Sequence, residues 1–171
     1  MKKTDGQEFA ATHLKTPIGT LQIAASEDGL VAVVFPSETK RAYAKTRGPV
    51  AAQMHLDQTV AALNDYFAGK RKDFSDLTLA PRGTDFQLSV WRALLKIPFG
   101  VTKSYGDIAR EIKNPKGVRA VGLANGKNPI PVIVPCHRVI GTNGTLTGFG
   151  GGLPTKKWLL AHEGVSTPAL L

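Results

Sequence analysis

Residues 104–126 read SYGDIAREIKNPKGVRAVGLANG, and this stretch indicates the fold of the second half of the chain. Ser104 with Asp107 matches a capping box, the pattern that begins a helix. An Asn-Pro-Lys-Gly turn follows at 114–117, and residues 118–125 have the pattern of a second short helix that ends before a glycine. Two short helices across a glycine-containing turn predict a helix-turn-helix.

Arg119 lies in the first turn of the second helix, the part of such a motif that meets DNA. The chain has 171 residues and a net charge of +9, which is unevenly spread. Residues 1–84 hold 11 Lys or Arg against 9 Asp or Glu, a net of +2, whereas residues 85–171 hold 11 against 4, a net of +7. This asymmetry favours nucleic acid as a partner of the second half; a merely soluble basic surface is the alternative.

The first third of the chain has the pattern of an antiparallel meander. Short apolar runs alternate with turn signals, of which Asp28-Gly29 is a strong hairpin signal. Apolar residues at three- and four-residue spacing then predict a helix over 51–68. Residues 73–79 are expected to add an extended segment. The three strands are expected at 12–15, 21–25 and 30–35.

A change of character after a Pro-Arg-Gly linker predicts two domains. Thr84 with Gln87 matches a second capping box, and the residues that follow predict a helix over 85–97. The predicted domains are 1–83 and 84–171. The expected fold class is α+β, with a small N-terminal antiparallel sheet and helix followed by a mostly helical domain.

The composition excludes several classes of protein. A single cysteine rules out an internal disulfide framework and a multi-cysteine zinc site, and no metal or cofactor is expected. No apolar run reaches membrane-spanning length, and the first six residues lack the apolar stretch of a signal peptide. We therefore expect a cytoplasmic protein, since thiols stay reduced there, with no membrane and no obligatory protein partner.

Residues 130–139 read IPVIVPCHRV and contain that only cysteine, Cys136. A thiol attacks as the thiolate, and the adjacent His137 and Arg138 are groups that would lower its pKa. We interpret Cys136 as a nucleophile; a buried structural cysteine is the alternative. Glu163 is a candidate to orient the imidazole, with a solvated glutamate near a helix end as the alternative.

Several further features are ambiguous from the residues alone. The glycine-rich loop 141–152 would let backbone amides approach a ligand, or it is a flexible surface loop. Tyr105 is a hydrogen-bond donor or an ordinary surface residue, and Asn128 before a proline is consistent with simple turn chemistry. Trp91 and Trp158 lie in apolar helical patterns and are assigned to the core.

Together these motifs resemble a known family. The PCHRV sequence at 135–139 is similar to the active-site motif of the O6-alkylguanine-DNA alkyltransferases, the methylated-DNA–protein-cysteine methyltransferases. The resemblance covers about 84–165 closely and the N-terminal meander more loosely. Further blocks that match in order are 104–106, 119–122, 125–131, 141–152 and 158–164.

The resemblance implies DNA repair by direct reversal, with no cofactor. Cys136 would take the methyl or other alkyl group from O6-alkylguanine in duplex DNA in one irreversible, single-turnover displacement, after the base is flipped out. Glu163, His137 and a bridging water would form the relay that makes the thiolate. Tyr105 would donate to the flipped guanine, and Arg119 would fill its place in the stack.

The resemblance also implies a fold and a set of supporting residues. The N-terminal domain would be ribonuclease-H-like, and the second domain winged-helix-like. Asn125 would join Arg119 and Tyr105 in binding DNA, and Asn128 would tie the recognition helix to the active-site turn. Other positions expected to bind substrate or support the site are Pro131, Val139, Gly150 and Gly151.

Two other functions compete with this interpretation. A non-catalytic helix-turn-helix regulator would bind DNA, yet it has no need of Cys136 beside His137. A cysteine hydrolase has no need of Arg119 or of the basic half, and it would turn over many times. Some members of the family hold a structural zinc in the N-terminal domain; with no second cysteine, that site is expected to be absent here.

Overall fold

The computed structural model describes residues 8–166, and the boundary between two compact units falls between Arg82 and Gly83. The first six residues, in which no signal peptide is expected, lie outside the described residues. So does most of the tail at 165–171, which is expected to be frayed. Within 8–166, no helix combines the length and apolar character needed to span a membrane.

The N-terminal unit is a three-stranded antiparallel sheet with one long helix, as the meander pattern predicts. Its elements are β1 Ala10–Thr16, β2 Gly19–Ser26, β3 Gly29–Val34 and α1 Val50–Phe67. The strands lie in the order β1-β2-β3. At the predicted hairpin, Gly29 has a φ of 141°, and a Cβ there would lie 2.6 Å from the Thr78 carbonyl oxygen. Glycine is therefore required at this turn. The expected extended segment 73–79 pairs only at its end, where Leu79 bridges to Leu30.

Helix α1 buries its apolar face against the sheet. Leu56 and Leu63 are 2% and 0% exposed, and the strands contribute Leu21, Ile23 and Val33, all fully buried. The helix ends within one residue of the predicted position, and Gly69 with φ 75° follows it. This unit therefore has an ordinary apolar core.

The C-terminal unit is mostly helical. Its elements are α2 Asp85–Leu94, β4 Lys103–Ser104, α3 Tyr105–Glu111, α4 Val118–Gly126, β5 Val139–Ile140 and α5 Leu153–His162. Helices α3 and α4 are the predicted helix-turn-helix pair. The short parallel pair β4–β5 places Ser104, directly before α3, beside Ile140. The predicted α+β class is confirmed.

Both predicted capping boxes are present. Thr84 accepts a hydrogen bond from the Gln87 amide and Ser104 accepts one from the Asp107 amide, each with the reciprocal bond. Helix α2 ends at Leu94, three residues before the predicted end, because the chain continues to residue 97 as a tighter turn.

The two tryptophans differ in environment. Trp91 is 3% exposed, and its indole Nε1 donates to the Ala124 carbonyl at 2.9 Å, which joins α2 to α4. Trp158 is only half-buried and stacks on His162 at a ring separation of 4.8 Å. The assignment of Trp158 to the core is therefore wrong; helical spacing alone does not distinguish a core position from a partly covered one.

Candidate active site around Cys136

The turn between α4 and Cys136 is held by the side chain of Asn128. Its Nδ2 donates to the Val134 carbonyl at 2.8 Å, and its Oδ1 accepts from the Ile130 amide at 3.0 Å. Between them Val132, fully buried, has a φ of 73°. A β-branched residue in this region is strained by about 1–3 kcal/mol, so the surrounding bonds must fix the turn.

Cys136 begins a short 3-10 helix, Cys136–Arg138, and is 4% exposed. Its carbonyl accepts hydrogen bonds from the Val139 amide and, at 3.4 Å, from Nδ2 of Asn125. Asn125 is itself 4% exposed. The expectation that Asn125 contacts DNA is therefore corrected: it lies on the buried side of α4, where it supports the main chain of the cysteine.

The imidazole of His137 bonds directly to Glu163. Nε2 of His137 lies 2.8 Å from Oε1 of Glu163, and the two side chains are fully buried. The other ring nitrogen, Nδ1, is buried and has no hydrogen-bond partner among the described protein atoms. Glu163 was only a candidate from the sequence, and the structure brings it to the histidine.

Arg138 completes this buried network. Its Nε and Nη2 bond to the two oxygens of Glu163 at 2.8 and 2.9 Å, and its Nη1 donates to the Ile97 carbonyl at 2.6 Å. A bidentate pair of this kind orients both partners. The sequence placed Arg138 beside the thiol as a charge, whereas its guanidinium is directed at the carboxylate.

These contacts determine the protonation states of the pair. Burial raises the pKa of Glu163, but hydrogen bonds from His137 and Arg138 outweigh it and hold that pKa well below the ordinary value. Burial lowers the pKa of His137, against the opposing effect of Glu163. Near neutral pH the carboxylate is ionised and the imidazole neutral, so we assign the ring hydrogen to Nε2, which donates to Glu163. Nδ1 is then a proton acceptor.

Tyr105, the first residue of α3, is half-buried between α4 and the glycine-rich loop. A Cβ added at Gly122 would lie 3.9 Å from the tyrosine ring. The phenol oxygen is 2.7 Å from Oγ1 of Thr147. Burial raises the pKa of Tyr105, and the Thr147 hydrogen bond acts in the opposite direction.

Lys156 on α5 is a buried cation that no sequence motif singles out. It is 0% exposed, and its Nζ donates to the carbonyls of Val139 at 2.7 Å and Thr147 at 3.3 Å. Burial lowers its pKa to about 8, opposed by the charge of Cys136. By reciprocity, the ammonium favours the thiolate.

The remaining predicted positions divide by exposure. Arg119 is exposed on α4, together with Val118 and Leu123, which are 40% and 71% exposed. This face is separate from the buried side that carries Asn125. Pro131 and Val139, which are close to Cys136 in the sequence, are buried. In the glycine-rich loop Gly150 is exposed and Gly151 is half-buried.

A group of three or more metal-binding side chains does not occur within residues 8–166.

A helix-turn-helix unit that encloses one buried cysteine beside a histidine–glutamate pair defines the class: DNA-binding proteins with a reactive thiol. Two family models match the chain. The 6-O-methylguanine DNA methyltransferase ribonuclease-like domain matches residues 10–81, and the DNA binding domain of the same family matches residues 85–165. The chain belongs to the O6-methylguanine DNA methyltransferase family.

Individual relatives agree with this assignment. The chain is 49% identical over 150 residues to the methylated-DNA–protein-cysteine methyltransferase of Methanosarcina acetivorans, covering 88% of this chain and 95% of the relative. It is 48% identical over 158 residues to that of Mycobacterium tuberculosis, covering 91% and 93%. The resemblance seen in the sequence is confirmed.

Solved structures give the same result. The crystal structure of Mycobacterium tuberculosis O6-methylguanine methyltransferase has a TM-score of 0.76 at 44% identity, covering 94% of this chain and 96% of that one. The Mycobacterium tuberculosis OGT in complex with DNA has a TM-score of 0.80 at 46% identity, covering 91% of each.

Proposed function

We propose that this protein repairs O6-alkylguanine in double-stranded DNA by transferring the alkyl group to Sγ of Cys136. It is a suicide DNA repair methyltransferase, a methylated-DNA–protein-cysteine methyltransferase that acts once. One observation supports Cys136 as the acceptor: it is the only cysteine of the chain, and it lies next to the buried His137–Glu163 pair. A sulfur–carbon bond forms as the carbon–O6 bond breaks. The thiol proton balances the guanine that departs, so no other reactant is consumed.

His137 takes the thiol proton, through a bridging water. Its Nε2 is engaged by Glu163, so Nδ1 is the nitrogen with a free lone pair. The ionised Glu163 stabilises the imidazolium that results, as the carboxylate does in other nucleophile–histidine pairs. Arg138 acts on this pair by orienting the carboxylate, and Lys156 adds a positive charge near the sulfur.

The guanine is held by the main chain around the cysteine and by Tyr105. The phenol donates to the base, which makes guanine a better leaving group. Asn128 keeps the active-site turn in place through its bonds to residues 130 and 134. The substrate-contacting or supporting positions carried over from the family are Pro131, Val139, Gly150 and Gly151.

The exposed face of α4 binds the DNA. A buried thiol cannot reach a base inside a duplex, so the base must leave the stack. Extrusion of the base costs roughly a few kcal/mol in lost stacking and pairing. Arg119 offsets this cost by filling the gap in the stack, and other basic residues contact phosphates. The reducing cytoplasm suits a protein with one reactive thiol.

The test is to mix the protein with duplex DNA that carries O6-methylguanine and to weigh the peptide that contains Cys136. We expect that peptide to gain one methylene equivalent per repaired lesion and the protein to be inactive in a second round. The variant Cys136→Ser should bind the duplex with unchanged affinity and restore no guanine. An unmodified peptide, whether or not guanine is restored, would refute the proposal and favour a regulator or a hydrolase.

A further inference from the structure

The hydrogen bond between Tyr105 and Thr147 joins two elements that the family motifs treat separately. Thr147 lies in the glycine-rich loop, 42 residues after the tyrosine, and its Oγ1 is 2.7 Å from the phenol oxygen. No role for Thr147 follows from the mechanism above. A hydroxyl at this position can accept from the phenol or donate to it.

Thr147 is fixed from behind by a buried cation. The ammonium of Lys156 donates to the Thr147 carbonyl at 3.3 Å and to the Val139 carbonyl at 2.7 Å. Val139 pairs with Lys103 in the β4–β5 ladder, which directly precedes Tyr105. Thr147, through Lys156, and Tyr105, through the two residues that precede it, are therefore both held in place by the β4–β5 ladder. The Thr147 side chain is exposed, yet the hydrogen bond from Lys156 holds its main chain in place.

We propose that Thr147 is a positioning residue for Tyr105: its hydroxyl donates to the phenol oxygen and leaves the phenol hydrogen for the guanine. The proposal rests on the function proposed above, in which Tyr105 donates to the departing base. When the carbon–O6 bond breaks, its electron pair passes to the guanine, and the phenol hydrogen bond to the base strengthens. Negative charge then builds on the phenol oxygen, and a donated hydrogen bond from Thr147 stabilises it.

The opposite role would be competition. If Thr147 accepted from the phenol, it would occupy the hydrogen that the guanine needs, and the loop would have to withdraw before each reaction. The two roles predict opposite signs for removal of the hydroxyl. The 2.7 Å separation between the two oxygens fits either direction of donation, so the sign of the change in rate decides between the two roles.

The experiment measures the single-turnover rate of methyl transfer from an O6-methylguanine duplex as a function of protein concentration. Thr147→Val keeps the shape and removes the hydroxyl, and Thr147→Ser restores it. We expect Thr147→Val to lower the limiting rate about tenfold with the half-saturating concentration unchanged, since one hydrogen bond to a charge-bearing oxygen is lost. Thr147→Ser should return close to the wild-type rate. A faster Thr147→Val variant would establish competition and overturn the proposal.

A double-mutant cycle separates positioning from general damage. In a Tyr105→Phe background the phenol oxygen is absent, so adding Thr147→Val should have no further effect. Additive losses in the double variant would overturn the proposal, because Thr147 would then act on something other than Tyr105.

Alkylation of Cys136 by iodoacetamide provides the second control, since iodide leaves without a proton donor. Thr147→Val should react with iodoacetamide at the wild-type rate over the same pH range. An equal slowing with iodoacetamide and with DNA would mean that the variant disturbs the thiol itself, and the proposal would fail. Failure of wild-type protein to accept a methyl group would instead refute the proposed function.

Discussion

The two units of the molecule bury different kinds of side chain. Within residues 8–82 the buried polar residues are Ser26 and Thr59, both hydroxyls. Within residues 83–166 they are Asn125, Asn128, His137, Arg138, Lys156 and Glu163. Among the described residues, buried acidic and basic side chains are therefore confined to the C-terminal unit, which encloses four ionisable groups around its cysteine.

This difference shows that the charged groups of the site are buried at a cost in folding stability. Apolar burial contributes stability in proportion to area, whereas each buried charge must recover a desolvation penalty of several kcal/mol through its partners. Arg138 and Glu163 recover it by a bidentate pair, and Lys156 by two carbonyls and a lowered pKa. The buried polar groups of the C-terminal unit therefore fix the geometry of the site. Removal of one partner leaves the other with a desolvation penalty that nothing compensates.

The largest effect is expected from Glu163→Gln, which leaves Arg138 buried with no carboxylate. Loss of one partner of a buried pair costs about 3–5 kcal/mol, and the imidazole also loses the charge that stabilises its cation. Urea unfolding should show that loss, and the rate of methyl transfer should fall with it. The matched control is Glu111→Gln, a partly exposed carboxylate 3.1 Å from Lys96, for which we expect about 0–1 kcal/mol. Equal losses in the two variants would contradict the comparison.

A somewhat smaller loss, confined to stability, is expected from Leu63→Ala in the N-terminal unit. Leu63 is fully buried on α1, and deletion of a buried leucine side chain costs about 2–5 kcal/mol. Hydrogen exchange should quicken in β1, β2 and β3, while methyl transfer by the folded variant stays at the wild-type rate. A slower transfer step at a temperature where the variant is folded would show that the two units do not divide stability and chemistry in this way.

The smallest effect is a pH dependence that belongs to Lys156. Burial lowers its pKa from 10.5 to about 8, so between those values the unfolded chain keeps a proton that the folded chain has lost. The unfolding free energy therefore rises with pH in this window. Compared with Lys156→Met, wild type should gain about 1 kcal/mol between about pH 7 and pH 9. Lys157→Met, at the exposed neighbouring lysine, should show no such difference; a flat profile at Lys156 would contradict the burial cost.

Local sequence signals predicted the elements well. The two capping boxes depend on residues three positions apart, and the Asp28-Gly29 hairpin depends on the positive φ that glycine adopts, so short patterns were enough to predict them. The end of α2 was placed three residues too late, because a tighter turn continues the same apolar spacing.

The site was predicted in its residue types and not in its contacts. Cys136 and His137 are adjacent in a motif, but the partners of His137 and Arg138 are 26 and 25 residues away at Glu163. Nothing local shows where a side chain points. For the same reason Lys156 received no assignment from the sequence, and Asn125 was assigned to DNA although its side chain lies on the buried side of α4.

The distances along the chain within the Arg138 network also set an order of assembly. Its contacts join Ile97, 41 residues before Arg138, to Glu163, 25 residues after it. Contacts with such separations form late, after the local helices, because closing each loop costs chain entropy first. During synthesis Cys136 therefore emerges before Glu163, the carboxylate that bonds to His137. Until residues 153–163 have been synthesised and packed, His137 and Arg138 therefore lack the carboxylate to which both bond.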